Sequence, residues 1–222
     1  IGPPRAVASG WVPARAMKRA ATLVLAAAFG VGCILIFYGG WWLLAVGVAS
    51  VLCAYLYTGG PYPLAYHGLG DLFVIVFFGL IAVGFTYYVQ AGMFRPEAWL
   101  VGLGAGLLVN NILVINNYRD VDQDRASGKR TLAVVLGRSG AILQYQISMT
   151  LACLVPVLLF WRGFSAWVLL ACAVYPVGRW VTLRIVRLPV DRSFNRALGW
   201  TSGVLILYGV LFSVGLALAR GG

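Results

Sequence analysis

The stretch "WLVGLGAGLLVNNILVINNYRDVDQDRASGKRT", residues 99–131, joins an apolar run directly to a cluster of charges. Its first half, up to Ile115, has no charged side chain, which predicts a helix crossing a membrane. Its second half holds Asp120, Asp122 and Asp124, three of the six acidic residues among 222. A membrane helix that leads into half of the acidic residues predicts a helical bundle with a polar site at one end.

The composition supports a membrane protein throughout. Hydrophobic residues make up 61% of the chain and charged residues 10%, with a mean hydropathy of +0.89, whereas soluble domains carry about 25% charged residues. Spanning strands would alternate apolar and polar residues, and the apolar runs do not. We therefore predict an all-α, polytopic transmembrane helical bundle that forms a single domain over residues 1–222. Its seven helices should lie at about 20–38, 41–58, 72–90, 98–117, 139–160, 165–182 and 198–219.

The basic residues indicate how this bundle is oriented. If the loops alternate sides, 14 of the 17 Lys and Arg residues fall on one side, which is the cytoplasmic side by the positive-inside rule. This bias accounts for the net charge of +11 without a nucleic acid partner; the partner expected is the lipid bilayer. The 14 are Arg5, Arg15, Lys18, Arg19, Arg119, Arg125, Lys129, Arg130, Arg138, Arg179, Arg184, Arg187, Arg192 and Arg196, against Arg95, Arg162 and Arg220 opposite.

The acidic cluster forms a stripe if the fourth helix continues past the apolar run. Asn116, Asp120 and Asp124 then share one face at four-residue steps, with Asn117 beside them. A carboxylate at the bilayer centre costs about 2.5–3.5 kcal/mol, so the stripe should lie at the cytoplasmic end or line a wet cavity. Two like charges one turn apart are tolerated best with a cation between them, and oxygen ligands without His or Cys favour Mg²⁺. Asp122 points off this face and should be exposed.

Three cations, Arg125, Lys129 and Arg130, follow the stripe and suit phosphate oxygens. Carboxylates, a divalent ion and cations together indicate a diphosphate site. On charge alone, a solvated turn between helices explains the same residues equally well. Asn116 and Asn117 favour the site, because amides at the end of an apolar helix cost insertion energy and serve no purpose in a turn.

A second segment on the same side, "YTGGPYPLAYHGLGD" at residues 57–71, is rich in Gly, Pro and aromatic rings. Its tight turns predict a compact lid, and its rings suit either a pocket for a planar acceptor or carbocation or an interfacial aromatic belt. A structural role is favoured for the lone histidine. The rings are Tyr57, Tyr62, Tyr66 and His67, and the segment ends at Asp71.

Small residues and prolines inside the helices predict packing features. Gly102 and Gly106 have the small-xxx-small spacing of close helix contacts. Pro156 and Pro176 lie inside predicted helices and should kink them.

These motifs resemble the UbiA superfamily of intramembrane prenyltransferases, and within it the MenA branch of 1,4-dihydroxy-2-naphthoate polyprenyltransferases. "NNYRDVDQDRASGKRTLAVVLG" is similar to the second aspartate motif, and "YTGGPYPLAYHGLGDLFVIVFFG" to the preceding cytoplasmic loop. "GPPRAVASGWVPARAMKRA" is similar to the segment that follows the first aspartate motif. The family has nine helices, so the resemblance implies that this chain is N-terminally truncated, without two helices and the first motif. The activity of the truncated chain is then an open question.

The resemblance also implies roles for single residues. Asp120 and Asp124 would bind Mg²⁺ and through it the isoprenyl diphosphate. Asp71 would orient or deprotonate dihydroxynaphthoate, or else cap a helix. Substrate-binding roles would fall to Asn116, Asn117, Arg119, Lys129, Arg130, Tyr57 and Tyr62. The implied reaction transfers a polyprenyl group to dihydroxynaphthoate with decarboxylation, in menaquinone biosynthesis, at the cytoplasmic face of the inner membrane.

Three alternatives remain open at this stage. The chain could use another acceptor of the superfamily, such as hydroxybenzoate, homogentisate, chlorophyllide or haem. It could be a non-catalytic fragment. It could also be a membrane transporter or cation-binding protein, although transporters more often place ionisable groups at mid-membrane. The sequence does not predict the prenyl chain length or the oligomeric state.

Overall fold

The predicted seven-helix bundle is confirmed. The computed structural model describes residues 2, 4 and 6–219, apart from the side chain of residue 58, so that Arg5 and Arg220 lie outside the described residues. Within this part, six helical segments are long and apolar enough to cross a membrane, and the shorter α2 has 17 residues. The helices are α1 (Ala14–Gly39, interrupted at residues 34–35), α2 (Trp42–Thr58), α3 (Gly70–Ala91), α4 (Pro96–Ala126), α5 (Leu132–Trp161), α6 (Ala166–Val186) and α7 (Asn195–Ala219).

Loops far apart in sequence meet at the two ends of the bundle. At one end, the Arg130 backbone N–H donates to the Tyr66 carbonyl at 2.9 Å, and Arg119 Nη1 donates to Asn195 Oδ1 at 2.8 Å. At the other end, Arg162 pairs with Glu97 at 3.3 Å. The loops 59–69 and 127–131 and the start of α7 therefore share one end, as the alternation of charged loops predicts.

Helix α4 lies at the centre of the bundle and packs against α3, α5 and α7. Leu108, Val114 and Ile115 on α4 are fully buried. At the periphery, every residue of α1 (Ala14–Cys33) is at least partly exposed, and α1 packs mainly on α2. The element that carries the acidic stripe is thus the one held most firmly by its neighbours.

Close packing of α3 on α4 depends on three glycines, which confirms the predicted small-residue contact. Gly79 lies in the π-helical segment Ile75–Ile81 of α3. A Cβ on Gly79 would lie 2.5 Å from the Gly102 carbonyl oxygen and 2.6 Å from Gly106 Cα. Since these neighbours are backbone atoms, no rotamer change can relieve the contact. The backbones of α3 and α4 can approach this closely because glycine has no side chain.

Gly79→Ala is therefore expected to destabilise the bundle. Overpacking typically costs about 1–3 kcal/mol, and a clash with backbone belongs at the upper end. The measurement is the free energy of unfolding in a detergent titration. Gly209→Ala is the matched control, because a Cβ there meets no described atom within 4 Å. Equal stabilities for the two variants would contradict the close crossing of α3 and α4.

Helix α5 is interrupted at a glycine near its start. Gly137 has φ 72° and ψ 176°, which separates the first turn, residues 132–136, from the long remainder of the helix. Pro156 is buried inside α5. In α6, Pro176 lies in the first turn of the α-helical part, Val174–Val186, which follows the 3₁₀ segment Ala166–Ala173. The interruption at Gly137 was not predicted from the sequence, and the kinks at Pro156 and Pro176 stay predictions.

Candidate active site

A polar cavity of about 340 Å³ lies at the shared loop end of α2, α3 and α4. Its wall contains one carboxylate and one ammonium group, two amides and two phenol rings, a mixture suited to a ligand with charged and aromatic parts. The lining residues are Tyr57, Ala65, Tyr66, Gly68, Gly70, Asp71, Leu113, Asn116, Asn117, Lys129 and Thr131.

The asparagine pair directly follows the apolar run, and α4 continues through it to Ala126, beyond the predicted end at residue 117. Asn116 and Asn117 both line the cavity. The Asn116 Oδ1 accepts a hydrogen bond of 2.7 Å from Arg119 Nη2. Amide groups at this depth are thus part of the cavity wall, which favours a site over a plain solvated turn.

Lys129 connects Asp124 to the cavity. Its Nζ lies 3.0 Å from Asp124 Oδ1 and 5.2 Å from the centre of the Tyr66 ring. The turn after α4 is closed by a 2.9 Å hydrogen bond from the Lys129 backbone N–H to the Asp124 carbonyl. Lys129 is therefore held by its own main chain in the position where its ammonium group lines the cavity.

Asp120 is paired with the buried Arg119. The Arg119 Nε and Nη2 donate to the two Asp120 carboxylate oxygens at 2.7 and 2.8 Å. The side chains are only 6% and 12% exposed, so this pair is held away from bulk water. Through Asn116 on one side and Asn195 on the other, Arg119 links the cavity wall to the start of α7.

Asp122 is exposed, as predicted. Its side chain is 74% exposed and pairs with Arg138 Nη2 at 2.9 Å. The three carboxylates of the cluster therefore differ in environment, and only Asp120 and Asp124 are candidates for a role in the site.

The carboxylate and amide oxygens of this site suit a divalent cation, although Asp120 and Asp124 are paired with Arg119 and Lys129 in the structure. In residues 2, 4 and 6–219, no three His, Cys, Asp or Glu side chains are grouped closely enough to hold a metal. Mg²⁺ needs only one or two protein carboxylates when substrate phosphates supply further oxygens. Asp120 and Asp124 provide two, with the Asn116 and Asn117 amides nearby. The sequence predicted that a metal ion would offset the repulsion between Asp120 and Asp124. In the structure, Arg119 and Lys129 compensate these two charges.

The predicted lid forms one wall of the cavity. The loop 59–69 is joined to the loop after α4 by the hydrogen bond from Arg130 N–H to the Tyr66 carbonyl. At Gly68, φ is +74° and a Cβ would lie 3.0 Å from the Arg130 carbonyl oxygen, so both the backbone conformation and the close approach require glycine. Tyr57 and Tyr66 face the cavity on this side.

Three residues predicted to bind substrate do not line the cavity: Tyr62, Arg119 and Arg130. Tyr62 is 55% exposed and stacks on His67 with 3.5 Å between the ring centres, and it is not among the residues that line this cavity. The ring of His67 is also hydrogen-bonded to the Pro63 carbonyl, a structural role. Arg130 is exposed and contributes its backbone rather than its side chain. Arg119 lies behind the wall, in contact with Asn116.

Asp71 lines the cavity and does not cap its helix. It lies in the first turn of α3, whose N-cap residue is Leu69. Its Oδ1 instead accepts from Asn110 Nδ2 at 3.1 Å and from Gln144 Nε2 at 2.6 Å. This carboxylate is buried and is held from two other helices, α4 and α5.

The sequence analysis missed Asn110, Gln144 and Asn195. Asn110 precedes Asn117 by seven residues, two helical turns on the same face, and this spacing was a usable signal. Gln144 is an amide inside an apolar run, a weaker signal. Asn195 contacts Arg119 across 76 residues of sequence, and nothing local predicts that.

A family model described as the UbiA prenyltransferase family matches residues 2–204 of the chain. Among curated proteins, the 1,4-dihydroxy-2-naphthoate octaprenyltransferase of Haemophilus influenzae is 38% identical over 160 residues, which are 69% of this chain and 52% of that protein. The Bacillus subtilis protein of the same name is 29% identical over 216 residues, or 95% of this chain and 70% of that protein.

The Mycobacterium tuberculosis protein of that name is 39% identical over 146 residues, 66% of this chain and 50% of that protein. The chain thus spans about half the length of the Haemophilus and Mycobacterium relatives. No solved structure matches the chain at a significant level.

Proposed function

Since the chain belongs to the UbiA prenyltransferase family, we propose that it is a Mg²⁺-dependent aromatic prenyltransferase. It transfers a polyprenyl group from an isoprenyl diphosphate to 1,4-dihydroxy-2-naphthoate with loss of carbon dioxide, giving demethylmenaquinol. The names of the curated relatives support this acceptor. The observation that carries the proposal is the cavity in which Lys129, paired with Asp124, faces Asp71 and two phenol rings.

The diphosphate occupies the side of the cavity near α4. Lys129 neutralises part of its charge, and Asn116 and Asn117 donate hydrogen bonds to its oxygens. Asp120 and Asp124 would hold Mg²⁺, and the bound ion would further stabilise the charge that develops on the leaving diphosphate. Lys129 then has two anionic partners, which keeps its position between Asp124 and the substrate.

The aromatic acceptor occupies the side near α3. Tyr57 and Tyr66 line the cavity and provide aromatic surface for the naphthalene ring. Asp71 accepts a hydrogen bond from one of the hydroxyl groups of that ring. The allylic C–O bond breaks with its electron pair leaving on diphosphate. The carboxyl-bearing ring carbon then forms the new C–C bond to the prenyl carbon. Loss of carbon dioxide and of the carboxyl proton restores the aromatic ring.

Water must be kept from the allylic cation. The docked loop 59–69 performs this task on one side of the cavity, and buried α4 residues do so below it. The prenyl tail extends into the apolar environment of the bundle and bilayer. The excess of basic residues at the cavity end supports a site on the cytoplasmic side of the cytoplasmic membrane.

The test is an assay of the protein in membranes with dihydroxynaphthoate, a prenyl diphosphate and Mg²⁺, with demethylmenaquinone detected by mass spectrometry. We expect product that disappears with EDTA and returns when Mg²⁺ is restored. A curated homologue of full length serves as the positive control. No product from any aromatic acceptor, with the homologue active, would overturn the proposal.

The same assay distinguishes the alternatives. Product with hydroxybenzoate or homogentisate but not with dihydroxynaphthoate would keep the reaction and replace the acceptor. Cation flux without prenyl transfer would indicate a transporter. Among the described residues, both candidate carboxylates form ion pairs with neighbouring cations at one end of the bundle.

A further inference from the structure

We infer that Asn110 and Gln144 are positioning residues, which hold the Asp71 carboxylate so that its free oxygen faces the aromatic acceptor. The inference rests on the proposed function and assigns roles to two residues outside the cavity wall. Asn110 lies in α4 and Gln144 in α5, so two helices fix the orientation of a side chain that belongs to a third.

The two hydrogen bonds end on the same oxygen. Asn110 Nδ2 and Gln144 Nε2 donate to Asp71 Oδ1 at 3.1 and 2.6 Å. Within the described residues, no hydrogen bond to Asp71 Oδ2 is found. Two donors arriving from different helices hold Oδ1 in place and so restrict rotation of the carboxylate. Oδ2 remains available to accept a bond from a ligand in the cavity that Asp71 lines.

The buried amide of Asn110 lowers the stability of the fold. Its amide is 1% exposed, and its Oδ1 has no hydrogen-bond partner among the described residues. A carboxylate can accept only from the NH₂ group, so the pairing with Asp71 fixes which way the amide points and directs its oxygen to a position without a described donor. An apolar residue would avoid the unpaired oxygen. The amide therefore serves the orientation of Asp71 rather than stability.

The consequence is a specific effect on the acceptor. Without Gln144, the Asp71 carboxylate can rotate about its side-chain bonds, and the hydroxyl of the acceptor loses a fixed partner. The diphosphate half of the cavity, formed by Lys129 and the asparagine pair, is not changed. Loss of Gln144 or Asn110 should therefore raise the KM for the aromatic acceptor and leave the KM for the prenyl diphosphate unchanged.

The experiment is a double-mutant cycle in membranes with wild-type protein measured alongside. Gln144→Ala is expected to lower kcat/KM for the acceptor about 10-fold, the effect of a lost hydrogen bond to a charged group. In an Asp71→Ala background, the same change should alter kcat/KM by less than about 2-fold, because non-additivity reports coupling. Gln146→Ala is the matched control, since it removes the same side chain two residues away without an Asp71 contact.

Each outcome decides the inference separately from the proposed function. Product formation by the wild-type protein tests the function alone. If the wild type is active, equal losses from Gln144→Ala with and without Asp71 would show an independent structural role and overturn the inference. A parallel rise in both KM values would overturn it as well. Asn110→Ala provides a second arm from another helix and should reproduce the acceptor-specific effect.

Discussion

Asp124→Asn is expected to reduce prenyl transfer by a factor on the order of 10²–10³ or more, the range seen when one preorganised stabilising group is removed from an active site. The substitution preserves the shape of the side chain and removes its charge. Two functions are lost together, because Asp124 is a proposed metal ligand and also the anion that holds Lys129 at 3.0 Å against the cavity. The measurement is kcat/KM for the prenyl diphosphate at saturating acceptor and Mg²⁺.

Asp122→Asn is the matched control for this prediction. It makes the same chemical change two residues away, at a side chain that is 74% exposed and paired with a partly exposed Arg138. Activity should stay within about 2-fold of the wild type, because exposed ion pairs contribute at most about 1 kcal/mol. Near-normal turnover by Asp124→Asn would show that the Asp124 carboxylate has no role in the mechanism. Equal losses in both variants would mean that net charge matters rather than the Asp124 site.

The fold was largely predictable because the main physical requirement, an apolar stretch for each membrane-spanning helix, is visible in the sequence. Each apolar run corresponds to one helix, since a bilayer requires a continuous stretch of about 20 apolar residues. The ends of the helices were less predictable. Helix α4 continues nine residues past its predicted end at 117, because polar residues outside the apolar core can still extend a helix. Helix α5 likewise begins at Leu132 rather than at 139, before the bend at Gly137.

The site was predictable where it follows helical periodicity. Asn116 and Asn117 were identified from their spacing on one helix and do line the cavity, and Asp122 is exposed as its position on the helix requires. What the spacing could not predict are contacts between helices. The partners of Asp71 come from α4 and α5, and the stacking of Tyr62 on His67 turns that ring away from the cavity. Such contacts depend on tertiary packing and leave little trace in a single sequence.

Arg119 illustrates the difference between a residue type and its environment. The resemblance to the family implied a substrate-binding role for Arg119. In the structure, its guanidinium uses Nε and Nη2 for Asp120, Nη2 also for Asn116, and Nη1 for Asn195. Its first role is therefore to hold the acidic end of α4 against the start of α7 and to keep Asp120 compensated in a buried position.

Arg119→Ala is accordingly expected to destabilise the protein by about 3–5 kcal/mol, the cost of breaking a buried ion pair and leaving one charge uncompensated. Arg119→Lys should fall between the wild type and Arg119→Ala. Lysine keeps the charge for Asp120, but it lacks the planar fork that reaches Asp120, Asn116 and Asn195 at the same time. The measurement is the free energy of unfolding in detergent, followed by activity at a temperature where each variant remains folded.

Arg138→Ala is the control for this second prediction, because Arg138 is also an arginine paired with a carboxylate of the cluster but is 35% exposed. Its loss should cost no more than about 1 kcal/mol. If Arg119→Ala proved as stable as Arg138→Ala, the link from α4 to Asn195 would not contribute to the fold. If the Arg119→Ala variant were stable but had a raised KM for the prenyl diphosphate, Arg119 would instead be a substrate-binding residue. The role inferred from its sequence position would then be the correct one.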